Sequence, residues 1–346
     1  MMANTGRTAL TTGSIGRRFR LGSLHVNGRA LILVRTRARA ITGRPTSQGT
    51  FAVISLDGQT IGFIGLGLMG KPMARNLKAA DAKMIIHNRS QGVVEELLAE
   101  GMTSAATPRE VAEKAPVLIC MLPDTPTVEK ILLGGDGVVE GIGDDTLVID
   151  MGTTKVPDTR TFAAAVEAKG GDYIDAPVSG GTIGAEGGTL TIMVGGTDAA
   201  IVRAMAIFDV LGQHTTHVGD VGNGQVAKAA NQMIVGLNIG AVAEALTMAK
   251  KAGADPAKVR QALRGGFADS RILEVHGQRM IDGAYKPGGK CVTQRKDMSQ
   301  ALELAEQLGI ELPATALNRS LYDRVVDAGH GELDHSALIK AIDPEA

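Results

Sequence analysis

The segment Thr60-Ile-Gly-Phe-Ile-Gly-Leu-Gly-Leu-Met-Gly70 constrains this chain more than any other stretch. A short apolar run enters Gly65, Gly67 and Gly70 in the spacing G-x-G-x-x-G and passes into a helical pattern. Glycine-rich turns are common, so the spacing alone is a weak signal; a strand before it and a helix after it make it the phosphate-binding corner of a βαβ unit. Gly65 permits the tight turn, Gly67 lets the backbone approach a pyrophosphate, and Gly70 allows close helix packing. Leu66, Leu68 and Met69 complete the loop, whose free N–H groups and helix dipole favour an anion, and Pro72 suits the first helical turn.

Further strand-like runs follow at Lys83 to His87, Pro116 to Met121, Thr146 to Asp150, Asp172 to Pro177 and Leu190 to Gly195, with helical or turn segments between them. This alternation predicts an α/β fold with a Rossmann-type, doubly wound, mostly parallel sheet. Residues from Gly222 through Gly253 read as one long helix that leaves the sheet domain, and the pattern stays helical as far as Ile342. The expected order is a basic extension at 1–58, a dinucleotide-binding domain at 59–221 and an all-helical domain at 222–346. Aromatic residues are scarce and Trp is absent, so the core must be aliphatic.

An acidic residue at the end of the second strand would bind the ribose hydroxyls of NAD. Here stands His87-Asn-Arg-Ser90. Arg89 could pair bidentately with a 2′-phosphate while Asn88 and Ser90 donate to it, which favours NADP(H) over NAD(H). If Arg89 merely begins a solvated helix, selectivity between the two would be slight.

Residues 1–56 hold nine Arg and no Asp or Glu. Taking those nine from the 36 Lys and Arg of the whole chain leaves 27 against 37 acidic residues, so the body is acidic by about 10 charges. Such a balance gives no support to binding of nucleic acid or of an anionic membrane. The acid-free opening has the composition of a mitochondrial transit peptide; a disordered basic tail or an upstream start are the alternatives, so the expected location is cytoplasmic, or the mitochondrial matrix if the segment targets. Cys120 and Cys291 have no paired spacing, which indicates neither a disulfide framework nor a zinc site. No His/Asp/Glu group has ligand spacing either, so no metal is expected. The apolar run around Met233 to Leu246 is broken by Asn238 and Glu244 and reads as a buried helix.

Two later motifs are Asp175-Ala-Pro-Val-Ser-Gly-Gly181 and Gly222-Asn-Gly-Gln-Val-Ala-Lys-Ala-Ala-Asn-Gln232. Lys228, Asn231 and Gln232 stand at i, i+3 and i+4, so they share one helix face and form a cleft wall. A lysine on an apolar helix needs a partner or solvent, and desolvation would lower its pKa toward useful proton transfer; taken alone it is more often a snorkelling lysine.

Together with the glycine loop, these motifs resemble the β-hydroxyacid dehydrogenases from about Thr60 to the C-terminus. Gly65-Leu-Gly-Leu-Met-Gly-Lys-Pro-Met73, Lys228-Ala-Ala-Asn-Gln232, Arg264-Gly-Gly266 and Asp334-His-Ser-Ala-Leu338 are most similar to the branch that reduces tartronate semialdehyde (2-hydroxy-3-oxopropionate). They shade into enzymes of 3-hydroxyisobutyrate, 4-hydroxybutyrate and succinic semialdehyde. The resemblance implies reduction of a small carboxylate-bearing aldehyde, with Lys228 as general acid and base and Asn231 orienting substrate beside it. It implies that Ser179, Gly180 and Gly181, with Gln232 nearby, receive the substrate carboxylate, which a turn rich in N–H groups can hold without an arginine. It places Met121, Leu122, Pro123 and Thr127 near the cofactor, Thr153 near the nicotinamide, and Lys296 as a late lysine closing over both. The flank of Lys296 departs from the family, because Gly288-Gly-Lys-Cys291 stands where an apolar, aromatic-containing segment is common. Association into a homodimer or homotetramer through the helical domain is implied as well. A non-catalytic cofactor-binding module would keep the glycine loop without needing Lys228, and the presence of both Lys228 and Asn231 favours an enzyme.

Overall fold

The computed structural model describes residues 55–346, together with two short strands, His25–Val26 and Arg29–Ala30, that pair antiparallel. The targeting or tail reading of the N-terminal extension therefore lies outside the described residues up to position 54. The packed body starts slightly before the boundary read from sequence: Leu56 is fully buried, and its amide donates to the Ala80 carbonyl at 2.6 Å.

The glycine-loop strand β1 (Thr60–Ile64) is followed by α1 (Gly70–Ala79), β2 (Lys83–His87), α2 (Gln91–Ala99), β3 (Thr103–Ser104) and α3 (Pro108–Lys114). Next come β4 (Val117–Cys120), α4 (Thr125–Leu133), β5 (Leu147–Asp150), α5 (Val156–Glu167) and β6 (Asp172–Asp175). These strands lie parallel in the order β3-β2-β1-β4-β5-β6. The order reverses between β1 and β4, so the carboxyl ends of those strands open onto a crevice where ligands bind in doubly wound sheets. All of β5 and most of β4 is buried, because helices cover both faces of a parallel sheet.

Beyond β6 the sheet changes direction. It continues through β7 (Val178–Ser179), α6 (Gly181–Gly187), β8 (Leu190–Gly195), α7 (Asp198–Leu211) and β9 (Gly212–Gly219). Strand β8 runs antiparallel to β6 and β7 and parallel to β9. The sequence reading missed β9 because Gly-Gln-His-Thr-Thr-His-Val-Gly has no apolar alternation: it is an edge strand without a buried residue.

The remainder is helical, as the pattern predicts: α8 (Asn223–Lys251), α9 (Pro256–Leu263), α10 (Arg271–Asp282), α11 (Cys291–Gln307), α12 (Pro313–Val325) and a 3₁₀ segment, His335–Ala341. By length and composition alone the 29-residue α8 could cross a membrane. Instead its Ile239, Ala243 and Leu246 pack into a core with Leu273, Met298, Tyr322 and Leu338.

What positions α8 is its first turn. The carboxylate of buried Asp175, at the end of β6, accepts from Gly222 N at 2.7 Å and Gln225 N at 2.8 Å. It thus serves two amides that a helix start leaves unpaired. A Cβ at Gly224 would stand 2.6 Å from the carbonyl oxygens of Asp175 and Met193, so only glycine lets the helix meet the sheet this closely. Burial outweighs the two amide bonds and raises the Asp175 carboxyl to about 6, so it is ionised at neutral pH. Asp175→Ala leaves both amides without this acceptor; at pH 7.5 its urea midpoint should fall by an amount equivalent to about 1–2 kcal/mol, with the slope of the transition unchanged.

Candidate active site

Lys228 lies in the second turn of α8 and is only 7% exposed. Its Nζ donates to the carbonyl of Val178 at 2.7 Å and to Gln232 Oε1 at 3.1 Å. Burial lowers its pKa to about 8; Asp297 resists the shift and Lys296 adds to it. A lysine so tuned can both give and take a proton near neutral pH.

The shared face read from the sequence is present, and the structure explains its order. Gln232 Oε1 also accepts from Asn231 Nδ2 at 2.7 Å, while Gln232 Nε2 donates to Asp297 Oδ2 at 2.6 Å and to Gln294 Oε1 at 3.2 Å. A carboxylate only accepts, so Asp297 fixes the amide with its nitrogen outward and its oxygen toward Lys228 and Asn231. Asp297 Oδ1 in turn lies 3.0 Å from Lys296 Nζ, which donates to Pro123 O at 2.9 Å and Thr153 O at 3.2 Å. One chain of polar contacts therefore joins α8 to the loops after β4 and β5. Sequence reading gave no role to Asp297 or Gln294; their one signal was the adjacency of Asp297 to Lys296.

Val178, which accepts from the lysine, leads directly into Ser179, Gly180 and Gly181. Gly180 and Gly181 have φ of 136° and 60°, a turn that side chains with a Cβ would strain. Thr153 is presented rigidly. Its neighbours Gly152 and Thr154 donate to Asp150 at 3.0 and 2.6 Å, and Gln225 accepts from Thr154 N at 3.1 Å and donates to Gly152 O at 3.0 Å. Burial raises the pKa of Asp150, the acceptor beneath this loop. A cavity of about 140 Å³ adjoins the site, bordered by Thr153, Gln225, Gln232 and Asp297.

A larger cleft of about 580 Å³ runs along the glycine loop, bordered by Leu66, Gly67, Leu68, Lys71 and Arg75. Gly65 has φ 98°, and a Cβ there would strike Met121 O at 2.3 Å; one at Gly70 would strike Gly65 O at 1.9 Å. By contrast, a Cβ at Gly67 would meet no atom within 4 Å, which leaves open the cradle that a pyrophosphate needs. The amides of Gly67 and Leu68 donate to no acceptor among the described residues. The residues present thus fit a dinucleotide. Met69 is partly buried beside the loop, as are Met121 and Thr127 after β4; Leu122 is buried, and Asp124 accepts from Thr127 N at 2.9 Å.

Asn88 also braces the glycine loop: its Oδ1 accepts from Leu66 N at 3.0 Å and one N–H of its Nδ2 donates to Ser90 O at 3.0 Å, which leaves the second N–H without a partner among the described residues. Arg89 and Ser90 are exposed beside it, and Arg89 makes no ion pair among the described residues. One correction concerns ligand groups. His276 and the adjacent pair Asp334-His335, far apart in sequence, place potential ligand atoms within 4.8 Å of one another. The guanidinium of Arg279 already sits on Asp334 and balances its charge. Arg264, Gly265 and Gly266 form an exposed turn, and Arg264 pairs with Glu274 at 3.2 Å.

Two family models match the chain: the NAD binding domain of 6-phosphogluconate dehydrogenase over residues 60–219, and NAD-binding of NADP-dependent 3-hydroxyisobutyrate dehydrogenase over residues 222–342. The chain is 49% identical to 2-hydroxy-3-oxopropionate reductase of Escherichia coli (strain K12) over 284 residues, which cover 82% of this chain and 97% of that protein. It is 35% identical to 3-hydroxyisobutyrate dehydrogenase of Pseudomonas aeruginosa, over 81% of this chain and 97% of that one. The crystal structure of 3-hydroxyisobutyrate dehydrogenase from Salmonella typhimurium matches with a TM-score of 0.75 at 29% identity, over 82% of this chain and 99% of its own. Fold, site and relatives agree: the chain belongs to the β-hydroxyacid dehydrogenase family, in which it is similar to tartronate semialdehyde reductase, and it is an NAD(P)-dependent oxidoreductase.

Proposed function

We propose that this enzyme reduces 2-hydroxy-3-oxopropionate to glycerate with NADPH, and catalyses the reverse oxidation, with Lys228 as the proton-transfer residue. The observation that carries this reading is the buried Lys228 ammonium, its pKa lowered to about 8, one residue from the Ser179–Gly181 turn through its bond to Val178 O.

The bound nicotinamide supplies or accepts the hydride at the carbonyl carbon. Gly65, Leu66, Gly67, Leu68, Met69 and Gly70 would hold its pyrophosphate, with Arg89 and Ser90 toward the 2′-phosphate and Asn88 bracing the loop. Met121, Leu122, Pro123, Thr127 and Thr153 would border its other half, and Lys296 would close over it. The amides and hydroxyl of Ser179, Gly180 and Gly181 bind the substrate carboxylate, with Gln232 nearby, while Asn231 orients the carbonyl. Lys228 gives its proton to the carbonyl oxygen during reduction and removes the hydroxyl proton during oxidation. Copies of the chain associate through the helical domain; supporting this, Ile234 and Met248 of α8 are 61% and 70% exposed despite their apolar side chains.

The experiment is to follow NADPH and NADH oxidation with tartronate, methylmalonate and succinic semialdehydes, beside Lys228→Ala. Efficient NADPH-linked turnover of tartronate semialdehyde is expected, and the variant should lose about 10²–10⁴-fold in kcat while still binding NADPH. A variant that keeps its activity would refute the role of Lys228, and preference for another semialdehyde would refute the substrate.

The same lysine sets the pH dependence. Reduction needs the ammonium, so kcat should fall as pH rises through about 8; oxidation needs the free amine, so its kcat should rise through the same range. Initial rates in both directions across pH 6–10 provide the check. Arg89→Ala should raise the KM for NADPH by about tenfold and leave that for NADH nearly unchanged, as expected for a lost charge-assisted contact to the 2′-phosphate.

A further inference from the structure

The residues just before α11, Lys286-Pro-Gly-Gly-Lys290, bring the far end of the helical domain up to the proton-transfer site. A Cβ at Gly181 would lie 3.4 Å from Gly288 O, and one at Gly288 would lie 3.6 Å from Thr182 Oγ1 and 3.3 Å from the terminal nitrogens of Arg279. A Cβ at Gly289 would lie 3.5–3.7 Å from the His335 ring. Arg279 and the His335 ring therefore lie against these two glycines, in a loop that touches the Ser179–Gly181 turn.

The groups gathered there are not equivalent. Asp334 is fully buried and fully engaged: Arg279 sits on one oxygen together with Gly288 N at 2.9 Å, and the other accepts from Ser336 Oγ at 2.6 Å and Ser336 N at 3.1 Å. His276 lies 3.4 Å from that second oxygen. His335 is held by its backbone, its N donating to Gly289 O at 2.8 Å and its O accepting from Tyr322 OH at 3.2 Å. Its ring packs edge-on against His276, with centroids 4.5 Å apart, yet its nitrogens have no hydrogen-bond partner among the described residues. Burial, and then His276, push its pKa down to about 3 against the pull of Asp334, and the charges of Arg279 and Lys228 act in the same downward direction. At working pH the imidazole is neutral, with one donor and one acceptor. That pair suits a hydroxyl, which also gives and takes one bond.

We propose that His335 is a specificity-determining residue, whose ring binds the hydroxyl on the substrate carbon that lies between the carboxylate and the aldehyde. The inference rests on the reading of Ser179–Gly181 as the carboxylate site and of Lys228 as the proton donor to the carbonyl. With both ends of a three-carbon substrate fixed there, the substituent on its middle carbon is the feature left to be read. The His335 ring is partly exposed, and a site that pairs such a polar group with a substrate hydroxyl disfavours an analogue that cannot make the bond. Gly288 and Gly289 are the enabling residues: a larger side chain at either would displace Arg279 or cover the His335 ring.

The test compares kcat/KM for tartronate semialdehyde, which carries the hydroxyl, with that for methylmalonate semialdehyde, which carries a methyl at the same carbon, at saturating NADPH. His335→Phe keeps the ring packing against His276 but has no nitrogen. The ratio of the two kcat/KM values should fall by about tenfold or more. His335→Gln, which restores a donor and an acceptor, should recover much of the ratio. If the phenyl ring unsettles the fold, seen as a lowered thermal midpoint, His335→Asn serves in its place, because its shorter amide withdraws from the substrate and predicts the same fall. An unchanged ratio in a folded variant, or equal losses on both substrates, would overturn the role of His335 while leaving the substrate class standing. If the wild-type enzyme reduces neither compound, the substrate reading itself fails and this inference with it.

Discussion

Asp175 holds the first turn of α8 with both carboxylate oxygens, and the geometry around Lys228 depends on that contact. Its strand segment carries straight on into Val178, which accepts from Lys228, and into the Ser179–Gly181 turn. Lysine and turn are therefore referred to one short piece of backbone, and the helix that carries the lysine is capped by the same piece. Close approach is what makes this possible, since a Cβ on Gly224 would push the helix off the sheet. The ionised cap is kept despite the cost of burying its charge, because two amides at the helix start would otherwise lack an acceptor.

The properties of Lys228 follow from a balance around it. Desolvation favours the neutral amine, Asp297 favours the ammonium, and Lys296 opposes it. The same Asp297 fixes the Gln232 amide and pairs with Lys296, whose ammonium bridges the loops after β4 and β5. Electrostatic tuning of the lysine and the bridging of the loops after β4 and β5 are thus linked through Asp297: a shift of α11 would change both.

Much of this was legible in the chain itself, for reasons that differ from place to place. The glycine loop is legible because each glycine answers a backbone demand that the structure bears out, with steric refusal at Gly65 and Gly70 and open space at Gly67. The apolar central strands are legible because burial on both faces leaves a strong pattern, and the long helix because its apolar run is continuous enough to read through its exposed positions. The polar edge strand Gly212–Gly219 left none. At Asn88 nothing in the sequence signals that the side chain braces the glycine loop through Leu66 N, because that contact joins residues 22 apart. Asp297, Gln294 and the group around Asp334 are joined to the site by tertiary approach, for which no spacing rule in a single sequence exists. The departure at Gly288 and Gly289, puzzling in sequence, becomes intelligible once Arg279 and His335 are seen to occupy the space beside them.

The central claim is that burial makes Lys228 a proton donor and acceptor near neutral pH. It is tested most directly by titrating the lysine itself, using NMR of enzyme carrying ¹⁵N-labelled lysine, in the cofactor-bound state, with the Lys228 resonance assigned from its absence in Lys228→Arg. A midpoint of about 8 is the result this account predicts. A midpoint at or above the ordinary lysine value of 10.5 would contradict it, and would mean that the ammonium anchors substrate without exchanging its proton.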